Sequence, residues 1–134
     1  MITEDFVSFE TAKLLKEKGF DELCAFQYYT YWEDGKLKNY LRPIRLDTMI
    51  SNSQVTGRDN VTAPTLQMAC KWLEKKHQLY CDIGFDDLGF NWVIIDLSAD
   101  ASKQPVYKSD SHGGYCDSTE PTEDAIKFCL KHLI

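Results

Sequence analysis

Long apolar runs are missing from this sequence. None approaches the ~20 residues of a membrane-crossing helix, so no membrane partner is expected. Proline and glycine are sparse, four and seven in 134 residues, which excludes collagen-like and low-complexity classes. There is no Cys-x-x-Cys pair, and the five cysteines are an odd number. Neither a paired zinc motif nor a closed disulfide framework is therefore expected. The opening Met1-Ile2-Thr3-Glu4-Asp5-Phe6 has no basic n-region and no apolar h-region, so no signal peptide is read and a cytoplasmic location is expected. Cations are the minority, 15 against 21 acidic residues, for a net charge of −6. Lys71, Lys75 and Lys76 share one face of an expected helix and read as solvated. With no concentrated basic patch, duplex nucleic acid is not expected as a partner. Gly-x-Gly-x-x-Gly and Gly-Lys-Ser/Thr are both absent, so no dinucleotide or phosphate loop is expected, and no cofactor.

What is present is an ordinary globular composition, 43% hydrophobic and 27% charged. At 134 residues the chain reads as a single domain, 1–134, long enough to fold without a metal or disulfide staple. Ser8 is an N-cap for a helix over 8–18, with Phe9, Ala12 and Leu15 as its apolar stripe and Gly19 beyond its end. Residues 23–32 are rich in aromatics and read as a strand. Asp34-Gly35 turns it into a return strand over 36–42, with Pro43 at its end or on an edge. The polar stretch 45–62 reads as a long loop with a short edge strand near 46–50. Pro64 opens a second helix, capped by Thr62 or Ala63 and running to His77. Residues 79–83 and 91–97 read as a second hairpin, whose turn holds Gly84, Asp86, Asp87 and Gly89. A short strand is expected at 105–108, a polar loop from Asp110 to Ser118, and a last helix over 120–133 capped by Thr119 or Thr122.

The order is α-β-β-α-β-β-α. It predicts an α+β fold, with an antiparallel sheet of about four strands in two hairpins and three helices packed on it. The two halves share a layout but no residue-level repeat.

Three segments then carry a resemblance: Asp5 to Phe20, Ala63 to His77, and Glu123 to Ile134. With the aromatic hairpin between them they resemble small uncharacterised proteins of phages, prophages and gut bacteria. Members share an opening helix ending in a Lys-Gly-Phe type turn, an Ala-Pro-Thr helix with a Trp-Leu pair, and a closing helix. The resemblance implies a mobile-element setting and a fold. It implies no activity, cofactor or catalytic residue. The stretches 45–62 and 110–118 depart from the shared pattern.

Candidate sites follow from residue type and spacing. Phe26, Tyr28 and Trp32 alternate onto one face of the first strand, and Tyr29 and Tyr31 onto the other. One set must meet the helices. The other lies under the long loop or forms a binding platform, for which aromatics suit because they bury much area at little entropic cost. His112 and Cys116 could form a nucleophile–base pair with Asp110 or Asp117, although two residues so close in one loop are weakly held. A glycine-rich turn is the competing reading. Cys129 and His132 stand three apart on a helix, the spacing of a half metal site, without a second paired motif. Asp82, Gly84, Asp86 and Asp87 only loosely match a calcium loop. Asp82 and Asp96 on adjacent strands could face each other as a carboxylate pair. Buried Cys70, Cys81 and Cys129 read as filler thiols in core patterns.

These features point to a non-enzymatic accessory module that binds a macromolecule, with a protein as the expected partner. A small Cys/His-dependent hydrolase or transferase is the first alternative. A homo-oligomeric structural protein, a dimer in the simplest case, is the second.

Overall fold

The structure is a computed structural model, and it describes residues 5–45, 48–98, 100, 106–109 and 114–134. It is α+β, and the described residues form three helices and two three-stranded antiparallel sheets. The single sheet of about four strands is therefore corrected: each hairpin gains a third strand and stands as its own sheet. The chain divides into two compact units, Met1–Thr65 and Leu66–Ile134.

In the first unit, helix α1 spans Phe9–Glu17, and the Ser8 Oγ accepts from the Thr11 N–H at 3.2 Å. Gly19 closes it with φ +93°, a conformation that glycine adopts without a Cβ penalty. Thr11, Ala12 and Leu15 are buried, beside Val7, Phe20, Cys24, Val61 and Ala63. Each large apolar side chain so buried contributes about 1.5–3 kcal/mol.

Strands β1 (Phe26–Glu33) and β2 (Lys36–Pro43) form the predicted hairpin. Asp34 and Gly35 both have positive φ, 53° and 75°, as a two-residue type I′ turn requires. β3 (Val61–Thr62) pairs with the other side of β1, so the sheet order is β2-β1-β3. Of the expected edge strand near 46–50, the described residues 48–50 form no strand. Ile50 makes an isolated bridge with Cys24, residues 46 and 47 lie outside the described residues, and the added strand comes at 61–62 instead.

In the described part of the polar stretch, residues 48–62, side chains hold the backbone in place. Asn52 Nδ2 donates to the Phe20 carbonyl at 2.8 Å, and its Oδ1 accepts from the Thr62 N–H at 2.9 Å. Asn60 Oδ1 accepts from the Thr30 N–H at 2.9 Å, which extends the β3 pairing by one residue. The Asp21 carboxylate accepts from the Ser53 N–H at 2.7 Å, a bond that holds it below the usual carboxylate range. These three side chains do locally what a longer strand would do with backbone.

In the second unit, helix α2 spans Leu66–His77, starting two residues after Pro64. The reading of Thr62 or Ala63 as its cap therefore gives way: Thr62 is part of β3, and the Pro64 carbonyl accepts from the Val7 N–H at 3.1 Å. β4 (Leu79–Asp86) and β5 (Gly89–Asp96) form a hairpin longer than expected, with Gly84 and Asp86 inside β4. β6 (Val106–Lys108) adds to β5 in a meander, order β4-β5-β6. The second strand of the hairpin is central here, and the first strand is central in the other sheet.

Helix α3 spans Thr119–Phe128 and continues as a π turn over Cys129–Leu133. Asp117 caps it, accepting from the Thr119 and Glu120 N–H groups at 3.1 Å each. This corrects the choice of Thr119 or Thr122: Thr119 is the first helical residue, and the Thr122 hydroxyl donates back to the Ser118 carbonyl at 2.6 Å. α2 and α3 contact β4, and α3 also contacts β5. Leu73, Leu79, Trp92, Ile94, Ile126 and Leu130 are buried in this unit. Among the described residues no helix is long and apolar enough to cross a membrane.

Candidate functional site

The β1–β2 register decides what each face of the first sheet presents. Tyr29 lies opposite Tyr40, Tyr31 opposite Lys38, and Gln27 opposite Arg42. Cross-strand partners share a face. One face therefore carries Phe26, Tyr28, Thr30 and Trp32, and the other carries Gln27, Tyr29, Tyr31, Lys38, Tyr40 and Arg42.

The first face belongs to the core at its base. Phe26 packs on Phe6 with ring centroids 4.5 Å apart. The Tyr28 ring meets Phe9 edge-on at 5.6 Å, and its hydroxyl donates to the Val7 carbonyl at 2.6 Å. Trp32 shares this face but extends towards the turn and is 69% exposed.

The second face holds a continuous row of rings. Tyr29 and Tyr40 stack at 5.6 Å with planes 19° apart. Tyr31 tilts against Tyr40 at 5.8 Å. The Arg42 guanidinium lies 5.3 Å from the Tyr29 ring centroid, in cation–π range. Tyr31 and Tyr40 are each 43% exposed. Gln27, at the base of this face, is buried, and its Oε1 finds no hydrogen-bond partner. Sequence reasoning found Tyr29 and Tyr31 but missed Tyr40, Lys38 and Arg42. The signal was available: a two-residue turn at Asp34-Gly35 pairs Glu33 with Lys36, and counting back from that pair sets Tyr29 opposite Tyr40.

The second unit contains a row of three thiols. Cys81 Sγ and Cys129 Sγ are 3.9 Å apart. Cys70 on α2 hydrogen-bonds Cys81, and that contact, with burial, pushes the Cys70 thiol far up. The bond to Cys129, with burial, pushes Cys81 up as well. The thiolate is the nucleophile and the metal ligand, so Cys70 and Cys81 are held in their inert form. A cleft of about 300 Å³ lies beside Cys70 and Cys81, lined also by Gln67, Lys71, Glu74 and Tyr80. A second, of about 270 Å³, is lined by Phe90, Trp92, Lys108, Ser109 and neighbours. The Asp86 carboxylate there is already engaged by the Leu88 N–H at 2.9 Å and by Asn91 at 3.0 Å.

Near it, Phe90 and Tyr115 form a two-bond backbone bridge, 2.9 Å in each direction. Gly89 and Gly114 permit the approach. A Cβ on Gly114 would run into the Leu88 carbonyl, and Gly89 has φ +119°.

Of the nucleophile set, His112 and Asp110 lie outside the described residues. Cys116 is exposed, and Asp117 is committed to capping α3. Cys129 and His132 do not converge: Cys129 is buried against Cys81, while His132 is exposed and rests on the Phe128 ring at 4.9 Å. Asp82 and Asp96 do not face each other. Asp82 pairs with Val93 and Asp96 with Leu79, and Leu79 and Asp82, three residues apart, point to opposite faces. Asp96 instead binds the Ser98 N–H at 2.9 Å and the Ser98 hydroxyl. Among the described residues no group of three or more His, Cys, Asp or Glu is arranged to hold a metal ion.

No family model matches the chain, and no curated protein and no solved structure matches it.

Proposed function

We propose that the chain is a non-enzymatic, cytoplasmic accessory module that binds another macromolecule through the Tyr29/Tyr31/Tyr40/Arg42 face of its first sheet. One observation carries this reading: the second face of the β1–β2 hairpin bears a basic-flanked row of three tyrosines, two of them 43% exposed. Tyrosine and arginine dominate binding hot spots because each brings large contact area with a polar handle. The rings are already packed against one another, so little side-chain freedom is left to lose on binding. The phage or mobile-element setting rests on the resemblance of the three helical segments.

The test compares the wild-type chain with Tyr31→Ala/Tyr40→Ala as baits in lysate of the source cells. Both sites are surface positions, so the variant retains its circular dichroism spectrum. The reading requires a partner recovered by wild type and lost by the variant. Equal recovery by both baits contradicts it.

A further inference from the structure

The outer edge of β2 is unpaired among the described residues: the sheet order is β2-β1-β3, and every β2 residue except Leu37 is exposed. Which backbone groups face outward follows from the turn. In a two-residue hairpin the residues flanking the turn, Glu33 and Lys36, form a hydrogen-bonded pair, and such pairs then recur at every second position. Lys38, Tyr40 and Arg42 therefore bond inward to β1. The Ile44 N–H, next in that series, donates to the Ala25 carbonyl at 2.8 Å, as this parity demands. Leu37, Asn39 and Leu41 aim their N–H and C=O groups away from the sheet. Pro43 falls in the outward set, where its missing N–H breaks no bond of the hairpin.

The geometry points to strand addition at this edge by an extended, acidic segment of a partner protein, an inference that rests on the binding face proposed above and names what it binds. β2 reads Lys-Leu-Lys-Asn-Tyr-Leu-Arg-Pro, with three cations and no acid, in a chain whose net charge is −6. Lys36, Lys38 and Arg42 share the face of Tyr40. A strand laid beside them sets its own alternate side chains against those cations, and carboxylates there are matched. A second copy of the chain would set cations against cations across the new pair, which is destabilising. Single-stranded nucleic acid needs open ring faces on which bases stack. Tyr29 and Tyr40 already stack on each other and the Arg42 guanidinium lies over the Tyr29 ring, so ring area that a base would need is already taken.

The probe is an N-acetylated, C-amidated octapeptide of alternating Glu and Val, labelled with a fluorophore and followed by anisotropy. Controls are its Lys-for-Glu counterpart, a version N-methylated at every second residue, and labelled oligo-dT. The acidic peptide is expected to bind, more weakly as salt rises. Lys38→Glu/Arg42→Glu weakens it at least tenfold, and Asn39→Pro, which deletes one outward donor, does likewise. N-methylation on the edge-facing set removes binding to the wild-type chain, a result that depends on no variant folding. Equal binding of acidic and basic peptides, unchanged binding after N-methylation at either alternate set, oligo-dT in place of peptide, or no binding would each overturn strand addition. The face itself is judged separately. If Tyr31→Ala/Tyr40→Ala loses the natural partner while Asn39→Pro keeps it, the face stands and the edge inference falls.

Discussion

The sulfur atoms of Cys81 and Cys129 sit 3.9 Å apart, hydrogen-bonded as free thiols and not joined as a disulfide. Cys81 lies on β4 and Cys129 at the start of the π turn, and Cys70 continues the row on α2. The bond to Cys81, with burial, favours the protonated thiol of Cys70, and the bond to Cys129, with burial, favours that of Cys81. In native protein at pH 7.5, an aromatic disulfide reagent is expected to modify Cys116 first, because it is the exposed cysteine. Cys116→Ser removes that fast phase, and Cys81 and Cys129 react only on unfolding. Rapid native labelling of Cys81 would show that the row is open and reactive.

A second relationship is sensitive to alkali. The Tyr115 hydroxyl donates to the Asp124 carboxylate at 2.8 Å. Burial, and then this bond, raise the Tyr115 phenol above its ordinary value of 10.0. The folded state favours the neutral phenol. Its contribution to stability is therefore complete below pH ~10 and is lost as pH rises through the higher folded value. Tyr115→Phe should lower the urea midpoint at pH 7 by removing a bond worth about 0.5–1.5 kcal/mol. It should also flatten the decline of that midpoint above pH 10. An identical alkaline decline in both proteins would show that Tyr115 makes no such contribution.

Gln78 occupies the left-handed region at φ 56°, between α2 and β4, and is exposed. A non-glycine residue there costs about 1–2 kcal/mol. Gln78→Gly relieves that strain but widens the unfolded ensemble, and the net expectation is a gain of up to about 1 kcal/mol in chemical denaturation. A loss of stability would mean that the Gln78 side chain makes a contact of greater value than the strain.

Much of this architecture was legible in the residues. Ser8, Gly19 and Asp34-Gly35 fixed their helix start, helix end and turn through chemistry confined to a few neighbours. The missing elements depended on distant partners. β3 is two residues long and exists because β1 is there to receive it. Its extension by Asn60 and its support by Asn52 are side-chain bonds across ten or more residues, invisible to periodicity. The Asp82–Asp96 pairing failed for a different reason: adjacency of strands is readable, but register is not until the turn length is known. The same register, once known, added Tyr40, Lys38 and Arg42 to a face on which only Tyr29 and Tyr31 had been found.

The most direct test is a titration of isotope-labelled chain with its recovered partner, followed by amide and side-chain NMR. The account predicts shift changes concentrated at Tyr29, Tyr31, Lys38, Tyr40 and Arg42, with the residues around the Cys70–Cys81–Cys129 row unmoved. Changes centred on that row, or on the Phe26–Tyr28 face, with the tyrosine row silent, would contradict it.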